Sequence, residues 1–362
     1  MTVRLLVLAP NWLGDAVMAL PALADVRQAL PNATIDVAAR PPIAPLFTLV
    51  PAVNSVLTLD NRRRSIEVLR SGHYEAALLL PNSFNAARLA WSAGIPERWG
   101  YRSDFRSPLL TKAVGAPSRV HQTEYYRHLI RELGFGIADP RRSVRPPSRE
   151  APGRDLDEAH RTESGRTWDA GQEAARPRLD VSSNQRDAGR ALLAEDGWDL
   201  GTPLIAVAPG AAFGGAKRWP ATSFAAVIDA LAIDGLRAVL VGAAADRPAA
   251  TEVFACATTP IRPINLVGRT DLPMLAGVLV HCRALVTNDS GAMHLAAALG
   301  VTVTAMFGPT RERETHPLGH AHTVLTSPVW CRPCMLRECP LTHRCMTGIS
   351  VDSVLTATRA RL

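Results

Sequence analysis

The sequence predicts an α/β protein made of two Rossmann-like, doubly wound parallel-sheet domains that face each other across a cleft. Three observations predict it. The chain has 362 residues, more than one ordinary α/β core accommodates, so two domains are expected. Short apolar runs alternate with amphipathic segments in two separate series, which implies right-handed βαβ units and parallel sheets. Between the series, residues 146–177 are rich in Arg, Glu, Asp, Gly and Pro and lack apolar periodicity. That is the composition of an exposed linker or inter-domain insertion.

In the first series, Val3–Ala9 reads as a buried strand and Ala16–Leu30 as a helix with apolar residues at helical spacing. Thr34–Ala39 is a strand, Pro42–Leu49 a short helix, Ser55–Asp60 a strand, Ser65–Ser71 a helix, Tyr74–Leu80 a strand and Asn85–Ala93 a helix. After the polar stretch, Asn184–Asp196 reads as a helix. The second series is Leu204–Ala208 (strand), Thr222–Asp234 (helix), Arg237–Val241 (strand), Arg247–Cys256 (helix), Ile264–Leu266 (strand), Leu272–His281 (helix), Ala284–Thr287 (strand), Gly291–Leu299 (helix) and Val301–Phe307, expected as the final strand. Val351–Leu362 reads as a terminal helix. The expected division is a first domain over 1–145, a polar linker or insertion over 146–183, a second domain over 184–348, and a terminal helix over 349–362 that packs back toward the first domain. No repeat at solenoid periods is present.

Hydrophobic residues make up 47% and charged residues 20%, a balance that excludes a disordered chain. The net charge of +7 suits anionic partners: nucleic acid, an anionic membrane face or phosphorylated substrates. Arg62–Arg64 and Arg141–Arg142 are the densest basic clusters, and each reads equally as ordinary solvated surface. No basic stripe with interleaved aromatics is present, which argues against nucleic acid. The N-terminus lacks the long apolar run of a signal peptide, and no stretch has the apolar length of a membrane-spanning helix. A cytoplasmic protein is expected, working from the membrane surface if its substrate is a lipid.

Three loops follow predicted strands and carry chemistry. In Pro10–Asp15, Gly14 permits a tight turn or close backbone approach. Asp15 opens the next helix, either as an N-cap accepting helix N–H groups or as a general base aimed into the cleft. N-cap bonding would lower its pKa and weaken a base. In Pro209–Pro220, Gly210, Gly214 and Gly215 precede Lys217 and Arg218. Such a loop can approach a diphosphate and neutralise it, although it is no Walker A loop; a surface loop is the alternative. In Thr287–His294, Asp289 or Ser290 can cap a helix whose first N–H groups, at Ser290, Gly291 and Ala292, form an anion site. His294 reads either as a packing residue or as a neighbour of bound phosphate. A base in one half and a diphosphate cradle in the other suit displacement of a nucleoside diphosphate from a sugar's anomeric carbon. No Asp-x-Asp triplet offers metal ligands in these loops, so leaving-group charge falls to Lys217, Arg218 and helix N–H groups.

At these positions the sequence resembles the ADP-heptose:lipopolysaccharide heptosyltransferases of glycosyltransferase family 9. The matching segments are Ala9–Asp15, Leu80–Phe84, Pro209–Gly210 through Lys217–Pro220, and Thr287–Gly291. The Asn82–Ser83–Phe84 and Ala216–Lys217–Arg218–Trp219–Pro220 forms look like the second transferase of that family rather than the first. The resemblance implies a GT-B fold and an inverting transfer that needs no metal or other cofactor. It implies Asp15 as the base on the acceptor hydroxyl and Lys217 on the donor phosphates. Donor contacts would come from Gly210, Arg218, Asp289, Ser290, Gly291 and His294. Ribose and adenine would lie near Gly242–Asp246 and Gly268–Thr270, with Gly268 and Thr270 as contacts. Asn11, Trp12, Gly14, Asn82 and Ser83 would face the acceptor. The partners implied are ADP-heptose and a lipid A-linked core oligosaccharide at the inner face of the inner membrane. The rival readings are a relative that uses another sugar nucleotide and a non-catalytic binding protein on the same scaffold.

Six cysteines are present. Cys256 and Cys282 lie in apolar segments and read as inert core. Cys331, Cys334, Cys339 and Cys345, with His343 among them, have spacing compatible with a structural zinc or iron–sulfur site; four reduced thiols are the alternative.

Overall fold

The computed structural model describes residues 3–135, 177–319 and 321–362. Most of the predicted polar linker therefore lies outside the described residues.

The first domain runs β1 (Arg4–Leu8), α1 (Leu13–Met18), α2 (Leu20–Ala29), β2 (Thr34–Ala39), β3 (Ser55–Thr58), α3 (Arg62–Ser71), β4 (Ala76–Leu79), α4 (Phe84–Ser92), β5 (Glu97–Tyr101), β6 (Lys112–Val114) and α5 (Gln122–Ile130). The second runs α6 (Ser183–Glu195), β7 (Leu204–Ala208), α7 (Ala221–Ile233), β8 (Arg237–Leu240), α8 (Arg247–Cys256), β9 (Ile264–Asn265), α9 (Leu272–Leu279), β10 (Cys282–Asn288), α10 (Gly291–Ala298), β11 (Thr302–Phe307), α11 (Glu312–Thr315), β12 (His322–Thr326), α12 (Arg344–Thr347) and α13 (Val351–Arg359).

The strands form two six-stranded sheets, ordered β3-β2-β1-β4-β5-β6 and β12-β11-β10-β7-β8-β9. Every pair is parallel. Each sheet reverses its winding once, between β1 and β4 and between β7 and β10. Helices cover both faces of such sheets, which is why the central strands β1, β4 and β7 are continuous apolar runs. The predicted α/β, GT-B-like arrangement is the observed one.

Several expectations are corrected. The helix expected over Ala16–Leu30 is two helices, broken at Ala19. Pro21 has no N–H to donate to the preceding turn. Val301–Phe307 is not the last strand, because β12 pairs with β11 at the sheet edge. The terminal helix packs against α7, β11 and β12 of the second domain rather than back toward the first. Val354 and Leu355 on its buried face complete the apolar cluster around Trp219 and Phe224, Thr358 Oγ1 bonds Thr304 Oγ1 of β11 at 3.1 Å, and Arg359 pairs with Asp234 at the end of α7 at 2.7 Å.

The domains meet along α1 and α10. Ala16 and Val17 on α1 share one apolar cluster with Met293, Leu295 and Ala296 on α10. Two glycines set how closely the helices approach. A Cβ on Gly14 would stand 2.9 Å from His294 Cδ2, and one on Gly291 would stand 2.7 Å from Leu13 Cβ. Both contacts are shorter than real Cβ contacts allow, so any side chain at either position would force the two helix N-termini apart.

Candidate active site

Ligands of open α/β sheets bind outside the carboxyl ends of the strands where the winding reverses. Here those strands are β1 and β4 in one sheet and β7 and β10 in the other. Their loops carry Asp15, Asn82–Ser83, Lys217 and Asp289. Asp15, Asn82–Ser83, Lys217 and Asp289 therefore stand at the two switch points, whereas Gly268 and Thr270 follow β9 at the edge of the second sheet.

Asp15 lies in the first turn of α1, but it is not the cap. The N-cap is Trp12, and no side chain caps the helix. The Asp15 carboxylate makes no hydrogen bond among the described residues, so the pKa depression that capping would cause is absent. Burial instead raises it to about 6, because the ionised form loses hydration. Lys217 across the interface lowers it in part, and Asp289 adds to the rise. Tyr126, on α5, lies close enough for the Asp15 charge to contribute to its own strongly raised pKa.

Lys217 is largely buried and bonds Asp289 Oδ2 at 2.6 Å. Thr310 Oγ1 donates to the same oxygen at 2.6 Å. The ammonium also sits 4.8 Å from the centre of the Phe213 ring, a cation–π contact. Arg218, predicted beside Lys217 on the phosphates, is exposed. Asn288 holds the loop down. Its amide donates to Pro209 O at 2.8 Å and Gly210 O at 3.3 Å, and its oxygen accepts from the Trp219 N–H at 3.0 Å. Trp219 itself is buried and donates to Ile349 O at 3.0 Å. Neither Asn288 nor Thr310 was assigned a role from sequence. The signal for Asn288 was available: an amide at a central strand end can both donate and accept.

The loop's glycines are occupied by protein. A Cβ on Gly210 would meet the Asp246 carboxyl at 2.1 Å, and Cβ atoms on Gly214 and Gly215 would meet Arg337 O at 2.3 Å and Glu338 Oε2 at 2.6 Å. Each glycine admits another segment of the chain.

α10 begins at Gly291 with Ser290 as N-cap, but no side chain caps it. Ser290 Oγ bonds Thr287 Oγ1 at 3.0 Å instead, which leaves the first amides of α10 without a side-chain acceptor. His294 is buried, its ring against Gly14. Burial, then the charges of His316, Lys217 and His322, push its pKa down to about 3, so the imidazole is neutral at physiological pH. Gly268, at φ 73°, donates its N–H to Gly242 O at 2.9 Å. This brings the loops after β8 and β9 together, with Thr270 partly buried beside them.

On the other side, Asn11 and Trp12 are exposed, and Asn82 Nδ2 donates to Tyr125 OH at 2.8 Å. Ser83 caps α4 through Ala86 N at 3.3 Å. Sequence reasoning missed Arg106, which is fully buried. Its guanidinium donates to Tyr101 O at 2.9 Å, to Pro81 O, and to Asn82 Oδ1 at 3.4 Å. It fixes the Pro81–Asn82 turn from beneath. Its segment is Arg-rich and lacks apolar periodicity, so nothing in the pattern marks this arginine as buried.

Cys331, Cys334 and Cys339 are partly buried and Cys345 is buried, all as free thiols. Burial and the three neighbouring thiols push Cys345 up. Among the described residues, no three His, Cys, Asp or Glu side chains are gathered so as to hold a metal ion. The spacing fits a zinc or iron–sulfur site, whereas the side-chain positions do not.

Residues 62–344 match glycosyltransferase family 9 (heptosyltransferase). The chain belongs to this family. It is 32% identical over 335 residues to lipopolysaccharide heptosyltransferase 2 of Salmonella typhimurium, covering 89% of this chain and 87% of that one. It is 31% identical, over the same shares, to the Escherichia coli protein of that name. The solved structure of Escherichia coli ADP-heptose lps heptosyltransferase II superposes with a TM-score of 0.78 at 30% identity, covering 99% of this chain and 98% of the other. The family 9 chain described here is a glycosyltransferase. No helix among its described residues is long and apolar enough to cross a membrane.

Proposed function

We propose that the chain transfers L-glycero-D-manno-heptose from ADP-heptose to the inner-core heptose of a lipid A-linked core oligosaccharide, with inversion and without a metal ion. The observation that carries this reading is a carboxylate raised to about 6 by burial, set across the domain interface from the buried Lys217–Asp289 pair. A base with a pKa near the working pH is both available and strong enough to take a proton in the transition state.

In this reading Asp15 removes the proton from the acceptor hydroxyl as its oxygen attacks the anomeric carbon. The bond from that carbon to the diphosphate oxygen breaks on the opposite side, and ADP leaves. Lys217, Arg218 and the uncapped amides of α10 meet its charge. Asp289, Ser290, Gly291 and His294 line the donor heptose and diphosphate, with Gly210 beneath the loop. Gly268 and Thr270 take the nucleoside end. Asn11, Trp12, Gly14, Asn82 and Ser83 face the acceptor. The first domain (1–145) binds the acceptor and the second (184–348) the nucleotide sugar, joined by 146–183.

The finer setting is the cytoplasmic face of the inner membrane. The carboxyl edge of the first sheet supports it, because Trp12, Phe84 and Phe105 are exposed there beside the exposed Arg40, Arg62 and Arg102. Aromatic rings with cations suit an anionic lipid surface. The reading of the four cysteines as a structural zinc or iron–sulfur site rests on their spacing, with Cys331, Cys334 and Cys339 near enough to act on Cys345. Metal analysis of freshly purified protein checks it, and no stoichiometric zinc or iron rejects it.

The deciding assay is transfer from ADP-heptose to a heptosylated lipid A core. Turnover with that pair is expected to exceed turnover with other sugar nucleotides. Preference for another donor would move the chain to a different substrate within the family, and no transfer from any donor would reject the enzymatic reading.

A further inference from the structure

The segment that carries the four cysteines grips the Lys217 loop from its outer side. Ala216 N–H donates to Arg337 O at 2.9 Å, and Gly215 N–H donates to the Glu338 carboxylate at 3.0 Å. His343 Nε2 lies 2.7 Å from Ala216 O. A carbonyl only accepts, so Nε2 carries the proton. Backbone groups of the two residues immediately before Lys217 are thus tied to a stretch between Cys334 and Cys345. Phe213 adds a fourth tie, since its ring contacts both the Lys217 ammonium at 4.8 Å and the Arg337 guanidinium at 5.6 Å.

The glycines give the same account. Any Cβ at Gly214 or Gly215 would collide with Arg337 or Glu338, so these two glycines serve the grip and leave no space for a phosphate on that side. His343 makes its contact from a left-handed backbone, φ 57°. A non-glycine residue keeps that conformation only when its surroundings over-determine it.

We propose that Glu338 and His343 are positioning residues for Lys217: they hold the 213–217 loop where the ammonium meets both Asp289 and the diphosphate of a bound nucleoside diphosphate. This rests on the reading of that loop as the donor phosphate site. Glu338 is exposed, so its bond to Gly215 contributes to the loop's placement far more than to the stability of the fold.

The test is calorimetric titration with ADP together with steady-state kinetics in both substrates. Glu338→Ala and His343→Ala are expected to weaken ADP binding and raise donor KM by about 10-fold each, the scale of one charge-assisted or buried hydrogen bond. Acceptor KM and Tm should stay near wild type. Glu338→Gln, which keeps a carbonyl for the Gly215 N–H, should recover most of the affinity. Unchanged ADP affinity in Glu338→Ala overturns the proposal. So does a variant that loses kcat, both KM values and Tm together, because that pattern marks a general structural role. Failure of the wild-type protein to bind ADP instead overturns the donor-site reading beneath it.

Discussion

Replacing Asp15 by Asn separates its chemical role from its cost to the fold. Asn has nearly the same shape and cannot ionise. The rise of the Asp15 pKa from 3.8 to about 6 corresponds to roughly 3 kcal/mol held against the ionised, folded form. The sign follows from the direction. A carboxyl whose folded pKa exceeds its unfolded one costs nothing below pH 3.8, and its penalty grows until it is complete above about 6. Wild-type stability is therefore lost as pH rises through that window, and Asp15→Asn escapes the loss. Asp15 retains some exposure, which trims the gain to about 1–3 kcal/mol at pH 8. Urea unfolding at pH 8 and pH 4 reads it: the variant should be the more stable at pH 8 and level with wild type at pH 4. In the same preparation, transfer should fall by about 10²–10⁴-fold, the scale of a lost general base. Equal stability differences at the two pH values would refute the burial argument. A kcat within about tenfold of wild type would refute Asp15 as the base.

Lys217→Met should destabilise the second domain by about 3–5 kcal/mol, because it strands the buried Asp289 carboxylate with Thr310 alone. Adding Asp289→Asn should return most of that stability in urea unfolding without restoring ADP affinity. Arg106→Met should cost about 2–4 kcal/mol by orphaning the carbonyls of Tyr101 and Pro81. With the Asn82 turn released, acceptor KM should rise while donor KM holds, as two-substrate kinetics would read.

Much of the architecture was legible because central parallel strands are buried on both faces. β1, β4, β7 and β10 declare themselves as apolar runs, and the loops after them carry the chemistry. Three strands were not legible. β5 contains Glu97, Arg98 and Gly100, β6 has three residues, and β12 places His322 and two threonines around Val324 and Leu325; none carries an apolar run long enough to declare a strand, although β12 is buried over most of its length. The site was legible in residue identity but not in cause. Gly14, Gly210, Gly214, Gly215 and Gly291 stand in motifs that suggest ligand approach, yet each admits another part of the chain. A linear sequence cannot say what fills the space above a glycine. The tension over Asp15 dissolved for a related reason. Whether a carboxylate in a first helical turn caps that helix depends on where the turn begins, and here Trp12 takes the cap position while burial raises the Asp15 carboxyl.

The three influences on Asp15 also predict that donor binding strengthens the base. Burial raises its pKa, Lys217 lowers it, and Asp289 raises it. Among the described residues, the carboxylate paired with the Lys217 ammonium is that of Asp289. A bound diphosphate brings further negative charge to that ammonium, cancels its pull on Asp15, and closes water out of the cleft. Every change acts in the direction that disfavours the carboxylate form. The acidic limb of kcat/KM for the donor, which reports the free enzyme, should fall near pH 6. The acidic limb of kcat with both substrates saturating, which reports the complex, should lie about one pH unit higher. The control is Lys217→Met. With the ammonium gone, its free-enzyme limb should already sit above the wild-type one, and donor binding should move it further by less. A kcat limb at or below the kcat/KM limb would mean that the diphosphate does not reach Lys217, and the electrostatic link between the two domains would have to be abandoned.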